Sequence, residues 1–312
     1  MKLHGIIPPI VTPLDERERV HEEQLRRVTE HLLTCGVHGI FVNGSMGMFD
    51  LLRDEEQHQA IGIVVDQVAG RVPVIAGASE TSTSRVIDKA QRIVDSGADY
   101  LSILPPYYGA FTSAQLVRFY QTVARNVGLP VLAYNNPWKL LSRMDVPVLL
   151  QLADEPNVVG VKDSCEDAIH YQSLVRGLSG RDGFSVLLGT TRLSTWGLFL
   201  GADGLIDGLH IMKAEWAVEL WNAAQRGHWP GVQDYQRRLE MLISLVECEE
   251  WLGAFELVLR ELGLCDKITA HPLVPLSDRD LIRRVQGLVQ DLLLTDGGPA
   301  GEQSLFSGVG DS

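Results

Sequence analysis

The chain has 312 residues, with 27 Lys and Arg against 40 Asp and Glu, a formal charge of −13 at pH 7. Hydrophobic residues make up 45% and charged residues 21%, a mix that buries a real core and excludes wholesale disorder. The negative charge, with no basic stripe to offset it, argues against nucleic-acid binding, and no apolar run reaches the roughly 18 residues of a membrane-spanning helix.

In chain order, residues 1–13 lack the charged start, long apolar stretch and small-residue cleavage site of a signal peptide, so a cytoplasmic protein with no membrane association is expected. Short apolar runs then follow at residues 6–10, 39–42, 72–75, 100–103, 131–134, 158–161, 184–188 and 204–206. Each is bounded by Gly, Pro, Asn or Asp, as strands of a parallel sheet buried on both faces are. Helical patterns lie between them. Leu25, Val28 and Leu32 line one face of the first; Val86, Ala90, Ile93 and Val94 line another; Ser113 stands where it can cap a helix carrying Leu116, Phe119 and Val123. Eight such units predict an α/β fold, a (β/α)8 barrel of the TIM type, over residues 1–223. From about Ala214 the strand signal stops and the pattern is helical through Leu293, so residues 224–296 are expected to form a C-terminal helical extension. Residues 297–312 are rich in Gly and Ser and are expected to be a disordered tail. The four cysteines, Cys35, Cys165, Cys248 and Cys265, contain no Cys-x-x-Cys pair and no evident His partner at metal-ligand spacing; they read as reduced thiols, with no metal site expected.

A parallel barrel carries its chemistry where the strands end. Among six lysines, only Lys162 closes an apolar run. Burial there disfavours the ammonium and lowers its pKa, giving the neutral amine that attack on a ketone requires. The competing reading is a strand-end lysine that snorkels to solvent or pairs with Asp163 or Glu166. Tyr134, in Tyr134-Asn135-Asn136-Pro137, ends the fifth run and offers a proton shuttle, although such a tyrosine is also an ordinary core residue with a wet tip. After the second run, Asn43-Gly44-Ser45-Met46-Gly47 lets backbone approach a ligand and present N–H groups to a carboxylate, while Pro105-Pro106-Tyr107-Tyr108 follows the fourth.

Taken with Gly160-Val161-Lys162-Asp163, Leu188-Gly189 and Gly201-Ala202-Asp203-Gly204, these motifs resemble, in order and spacing, the dihydrodipicolinate synthase and N-acetylneuraminate lyase family from Gly5 to about residue 295. The resemblance implies a class I aldolase mechanism. Lys162 would form an imine with pyruvate or another 2-oxo acid, and Tyr134 would move protons. Ser45, with the N–H groups of Ser45 and Met46 beside Gly44, would hold the carboxylate. Tyr108 would complete a proton relay, commonly across a subunit interface, so a homo-oligomer, dimer or tetramer, is implied. Gly189 and Ile206 would line the imine pocket. No cofactor or metal is implied, because the protonated imine is the electron sink.

Several positions depart from the family pattern. Met46 and Met48 replace polar residues, and Lys139 beside Trp138 stands where synthases place an arginine that grips the second substrate. Asp207-Gly208-Leu209-His210 and Cys165 are also unusual. The sequence therefore reads first as a Schiff-base lyase or synthase joining or cleaving a 2-oxo acid and an aldehyde, preferably a weakly polar one. Dehydration or deamination of a hydroxy- or 3-deoxy-2-oxo acid by the same imine is the runner-up. A non-catalytic 2-oxo acid sensor and a phosphate-handling barrel are alternatives from other classes.

Overall fold

The structure, a computed structural model, describes residues 2–178 and 180–295; the expected tail at 297–312 lies outside the described residues. Eight strand–helix units follow one another: β1 (Gly5–Ile6), α1 (Glu22–Thr34), β2 (Ile40–Val42), α2 (Asp54–Val68), β3 (Val74–Gly77), α3 (Thr83–Val94), β4 (Tyr100–Ile103), α4 (Ser113–Asn126), β5 (Val131–Asn135), α5 (Val146–Leu152), β6 (Val158–Asp163), α6 (Ala168–Leu178), β7 (Ser185–Leu188), α7 (Ser194–Leu200), β8 (Gly204–Leu205) and α8 (Ala214–Gln225). The strands pair in parallel in the order β1-β8-β7-β6-β5-β4-β3-β2. Backbone bonds from His38 N–H to Ile6 O (2.8 Å), Phe41 N–H to Pro8 O (3.0 Å) and Ile10 N–H to Phe41 O (2.8 Å) close the ring between β1 and β2. The fold is thus the expected (β/α)8 barrel, followed by C-terminal helices α9 (Trp229–Val246), α10 (Trp251–Glu261) and α11 (Arg279–Thr295).

The first strand is shorter than the run at 6–10 suggests. Pro8 and Pro9 carry no N–H, so the ladder stops at Ile6 and continues only as a bridge from Pro9 to Phe41. Helix α4 likewise begins one residue differently: Thr112 is its cap, in a reciprocal capping box with Gln115, and Ser113 is the first helical residue.

Two apolar layers follow from strand alternation. One lies between strands and helices and includes Ile40, Val42, Val131, Ala133, Val161, Val186 and Leu188. The other fills the barrel and includes Ile7, Phe41, Ile75, Leu132, Tyr134, Leu187 and Ile206. Helices α9 and α10 add to the outer layer. Glu256 of α10 anchors the stretch between α10 and α11: its Oε2 accepts from Ile268 N–H, Thr269 N–H and Thr269 Oγ1, each at 2.8 Å. That stretch reaches back to the start of the chain, where Leu14 N–H donates to Lys267 O (2.9 Å) and Gln24 bonds to Asp266 by both its amide nitrogen (2.6 Å) and its oxygen (2.8 Å). Among the described residues, no helix is long and apolar enough to cross a membrane.

Candidate active site

Strand β6 carries one extra residue opposite β5. Val158 pairs with Val131 but Gly160 pairs with Leu132, so Val159 is bulged. A bulge shifts the in–out phase of everything beyond it. Val161 therefore joins the outer layer, Lys162 turns into the barrel, and Asp163 turns out. Tyr134, the register partner of Lys162, faces inward from β5 in the same way.

Lys162 and Tyr134 are each only 4% exposed. The Lys162 Nζ lies 4.0 Å from the centre of the Tyr134 ring and 5.0 Å from that of Phe41, and the two rings meet edge to face at 6.2 Å. The carboxylates that could have neutralised it are occupied elsewhere: Asp163 bonds to Asn135 and His170, and Glu166 accepts from Thr190 Oγ1 at 2.9 Å. Other lysines do pair with acids, Lys2 with Asp203, Lys89 with Glu80, Lys213 with Glu215 and Lys267 with Glu16, while Lys139 is exposed. Lys162 alone sits against aromatic faces inside the barrel.

Burial by itself raises the pKa of the Tyr134 hydroxyl, but the Lys162 cation and hydrogen bonds with Ser45, Lys162 and Asn136 outweigh it and hold the phenol below its ordinary range. Asn136 Nδ2 donates to that hydroxyl at 3.0 Å. Ser45 opens a short 3-10 turn, Ser45–Gly47, in the loop after β2. The loop is held by Asn43, at φ 60°, whose Nδ2 donates to Gly77 O (2.8 Å) and Gln57 Oε1 (3.1 Å). Gly47 N–H is the first to close on this turn, onto Gly44 O at 3.0 Å. Gly44 is required by the Phe41 ring, which a Cβ would meet at 2.8 Å.

Gly189 completes the cradle. A Cβ there would overlap Ser164 Oγ and come within 3.1 Å of Lys162 Cε. Ile206, fully buried, continues the β8 ladder by donating its N–H to Leu188 O at 2.8 Å. The structure thus gathers Lys162, Tyr134, Ser45, Gly44, Gly189 and Ile206. Tyr108, 87% exposed, and Lys139 with Trp138 stand instead on outer loops, which Ser142 ties together by accepting from Phe111 N–H at 2.7 Å and donating to Gly109 O at 3.4 Å. Met46 packs its thioether over Gly208, where a Cβ would meet Sδ at 2.7 Å. Met48 is buried and packs in the outer layer.

Sequence reasoning passed over Ser164, Asn136, Phe41 and Thr190. For Ser164 a signal existed: two residues beyond Lys162, it shares the inward face. A groove of about 450 Å³ between α2 and α3, lined by Asp54, Gln57, Glu80, Arg85 and Lys89, is a separate charged surface. Among the described residues, two clusters bring metal-ligating atoms together, each with its own atoms within 4.8 Å of one another: His31–Cys35–Glu215 and Asp163–Cys165–His170. The first uses a helical i, i+4 spacing that a search for Cys-x-x-Cys patterns misses, so the expected lack of a His near any cysteine does not hold. All four cysteines are free thiols.

Comparisons with known proteins converge on this barrel. Residues 2–290 match the Dihydrodipicolinate synthetase family. A 4-hydroxy-tetrahydrodipicolinate synthase of Phenylobacterium zucineum is 30% identical over 276 residues, 88% of this chain and 92% of that protein. YagE of Escherichia coli K12, provisionally named a 2-dehydro-3-deoxy-D-gluconate aldolase, is 31% identical over 298 residues, 93% of this chain and 97% of its own. The crystal structure of YagE in complex with pyruvate matches with a TM-score of 0.88 at 27% identity, over 94% of this chain and 99% of that one. The chloride-inhibited dihydrodipicolinate synthase of Acinetobacter baumannii, complexed with pyruvate, matches with a TM-score of 0.87 at 27% identity, over 93% and 99%. Fold and relatives agree on the class, a lyase of the class I aldolase type. The chain belongs to the dihydrodipicolinate synthetase family.

Proposed function

We propose that the protein is a Schiff-base lyase or synthase that joins or cleaves pyruvate, or a close 2-oxo acid, and an aldehyde. The observation that carries this reading is the Lys162 amine held beside the Tyr134 hydroxyl on facing strand ends, both buried, with Gly189 leaving space around Cε. The neutral amine attacks the keto carbon. Tyr134 protonates the carbinolamine oxygen, water leaves, and the protonated imine draws off the electrons when a C3 proton is lost. The resulting enamine attacks the aldehyde, and hydrolysis of the imine returns the amine. Ser45 and the N–H groups of Ser45 and Met46 hold the carboxylate. No metal or cofactor takes part in this scheme, so activity should survive chelators.

The pyruvate complexes of YagE and of the A. baumannii synthase support the 2-oxo acid. Lys139, exposed and in place of an arginine's two-point grip, favours an aldehyde other than aspartate semialdehyde. Only Met46 and Trp138 still argue for a weakly polar partner, since Met48 is in the core; Ser164 and Thr190 add hydroxyls nearby. The exposed Tyr108, Trp138 and Leu141 on adjoining loops support a homo-oligomer whose partner subunit brings Tyr108 to the relay. The acidic composition and free thiols support a cytoplasmic enzyme.

The test is borohydride reduction with pyruvate. Mass should be added at Lys162 and nowhere else, and trapping that persists in Lys162→Ala would sink the assignment. Aldol turnover and dehydration or deamination are then separated by product analysis with a panel of aldehydes and hydroxy-2-oxo acids.

A further inference from the structure

The inward-facing pair Tyr134 and Lys162 has a counterpart on the opposite face of the same two strands. Asn135 and Asp163, the next register pair, point into the strand–helix layer and are both fully buried. Asn135 Nδ2 donates to Asp163 Oδ2 at 2.8 Å, a direct side-chain bond across the strand ends. His170 Nε2, from α6, reaches the same oxygen at 3.0 Å, and Cys165 N–H donates to Oδ1 at 3.1 Å. Arg143 Nη2 lies 3.4 Å from His170 Nδ1; since an arginine can only donate, Nδ1 accepts and Nε2 carries the proton given to Asp163. Asn135 is fixed in turn by Met144 N–H, which donates to Oδ1 at 3.3 Å. The backbone of both residues is also committed. Ser164 N–H donates to Asn135 O at 2.9 Å, and Gly189 N–H to Asp163 O at 2.7 Å, so the network also places Gly189, whose lack of a Cβ leaves room for Lys162 Cε, and Ser164 beside it.

Both Asp163 oxygens are therefore occupied by protein donors, although Asp163, Cys165 and His170 are close enough together to suggest a metal. What the network does instead is fix one distance. Beyond the bulge at Val159 the two strands run in register to Asn135 and Asp163, their last pair, and the side-chain bonds add a lock at the point where the ladder ends.

We propose that Asp163, with Asn135 and His170, is a positioning unit that clamps the ends of β5 and β6 and so holds the Lys162 amine against the Tyr134 hydroxyl; the proposal rests on the imine reading above. Asp163 never meets substrate, since it lies on the far side of the sheet. Its effect passes through the aim of two other side chains, where a displacement of about 1 Å is enough to cost about 100-fold in rate.

The experiment measures the rate of borohydride trapping with pyruvate, per folded molecule, together with kcat and the KM for pyruvate. In Asp163→Asn two amides face each other, and trapping and kcat should fall about 10- to 100-fold while KM moves by no more than about threefold. The exchanged pair Asp163→Asn with Asn135→Asp restores one donor facing one acceptor, and should recover most of the loss. A wild-type rate in folded Asp163→Asn, or an exchanged pair no better than the single variant, overturns the proposal. Should Asp163→Asn not fold, His170→Gln against His170→Leu decides: Gln keeps a donor and should trap within about threefold of wild type, whereas equal trapping in the Leu variant overturns the clamp. Failure of the imine reading looks different, as no trapping at Lys162 in the wild type.

Discussion

Gly189→Ala is a small change with a large expected consequence. The added methyl would overlap Ser164 Oγ and stand 3.1 Å from both Lys162 Cε and Asp163 O. Non-bonded carbons rest at about 3.5–4.0 Å, so the lysine stem must yield by roughly 0.5 Å, the β6 carbonyl by less, and the serine must rotate away. Asp163 O already accepts the Gly189 N–H at 2.7 Å and cannot retreat without stretching that bond. Overpacking of this kind costs about 1–3 kcal/mol of stability. A half-ångström error in the amine, scaled from about 100-fold per ångström, costs about 10-fold in imine formation, and the displaced serine adds to it. Trapping rates at saturating pyruvate and urea midpoints give the two quantities separately. Gly62→Ala is the control: it lies inside α2 with nothing within 4 Å of a Cβ, and should gain about 0.5–1 kcal/mol with trapping untouched. If Gly189→Ala traps at the wild-type rate and loses less than about 0.5 kcal/mol, the cradle does not grip Lys162 and the reasoning fails.

Ser45→Ala removes one of the bonds that hold the Tyr134 phenol below its usual range, so the alkaline limb of the kcat profile carried by that phenol should move to higher pH; an unmoved limb would separate the two residues. Burial raises the pKa of Asp163, but hydrogen bonds from His170, then Asn135 and Cys165, bring it below the ordinary 3.8. Its stabilising effect is therefore present above that value and lost as pH falls through the folded-state pKa, and melting curves of Asp163→Asn should show a shallower acid decline than wild type. Glu256→Ala leaves three buried donors without their carboxylate and should cost about 3 kcal/mol or more in a urea titration; a loss under about 0.5 kcal/mol would show that another acceptor takes over. Mixing inactive Tyr108→Phe and Lys162→Ala subunits should restore partial activity, and no recovery in proven mixed oligomers would return Tyr108 to its own subunit.

The barrel was legible because its signals are local. Eight apolar runs with helical patterns between them name the fold without any knowledge of what touches what. Lys162 and Tyr134 were legible for the same reason, each closing a run. The direction each faces was not, because it depends on the bulge at Val159, which no alternation in Val158-Val159-Gly160-Val161 reveals. Asp163 looked like a partner for Lys162 because the two are adjacent in sequence; in a strand, adjacency places side chains on opposite faces. Met48 reads in the sequence as the loss of a polar group; its left-handed backbone, φ 52°, and its burial in the outer layer are not legible there. The departures from the family pattern mislead where they are read one letter at a time.

The bonds from Leu14 to Lys267 and from Gln24 to Asp266 join residues separated by about 240 to 250 positions. β1 likewise pairs with β8, Gly5 beside Gly204 and Ile6 beside Leu205. Contacts this distant in sequence are slow to form, since a long loop must close before they stabilise anything. During synthesis the first strand and the loop after it emerge long before their partners, and must wait with apolar residues such as Ile6, Ile7 and Ile10 uncovered. A chain halted before Asp266 would keep all eight strands yet leave Leu14 N–H without its acceptor and Gln24 without the carboxylate and N–H that it meets. The ring can be drawn by residue 206, but the protein is not finished until the stretch between α10 and α11 has returned to Leu14 and Gln24.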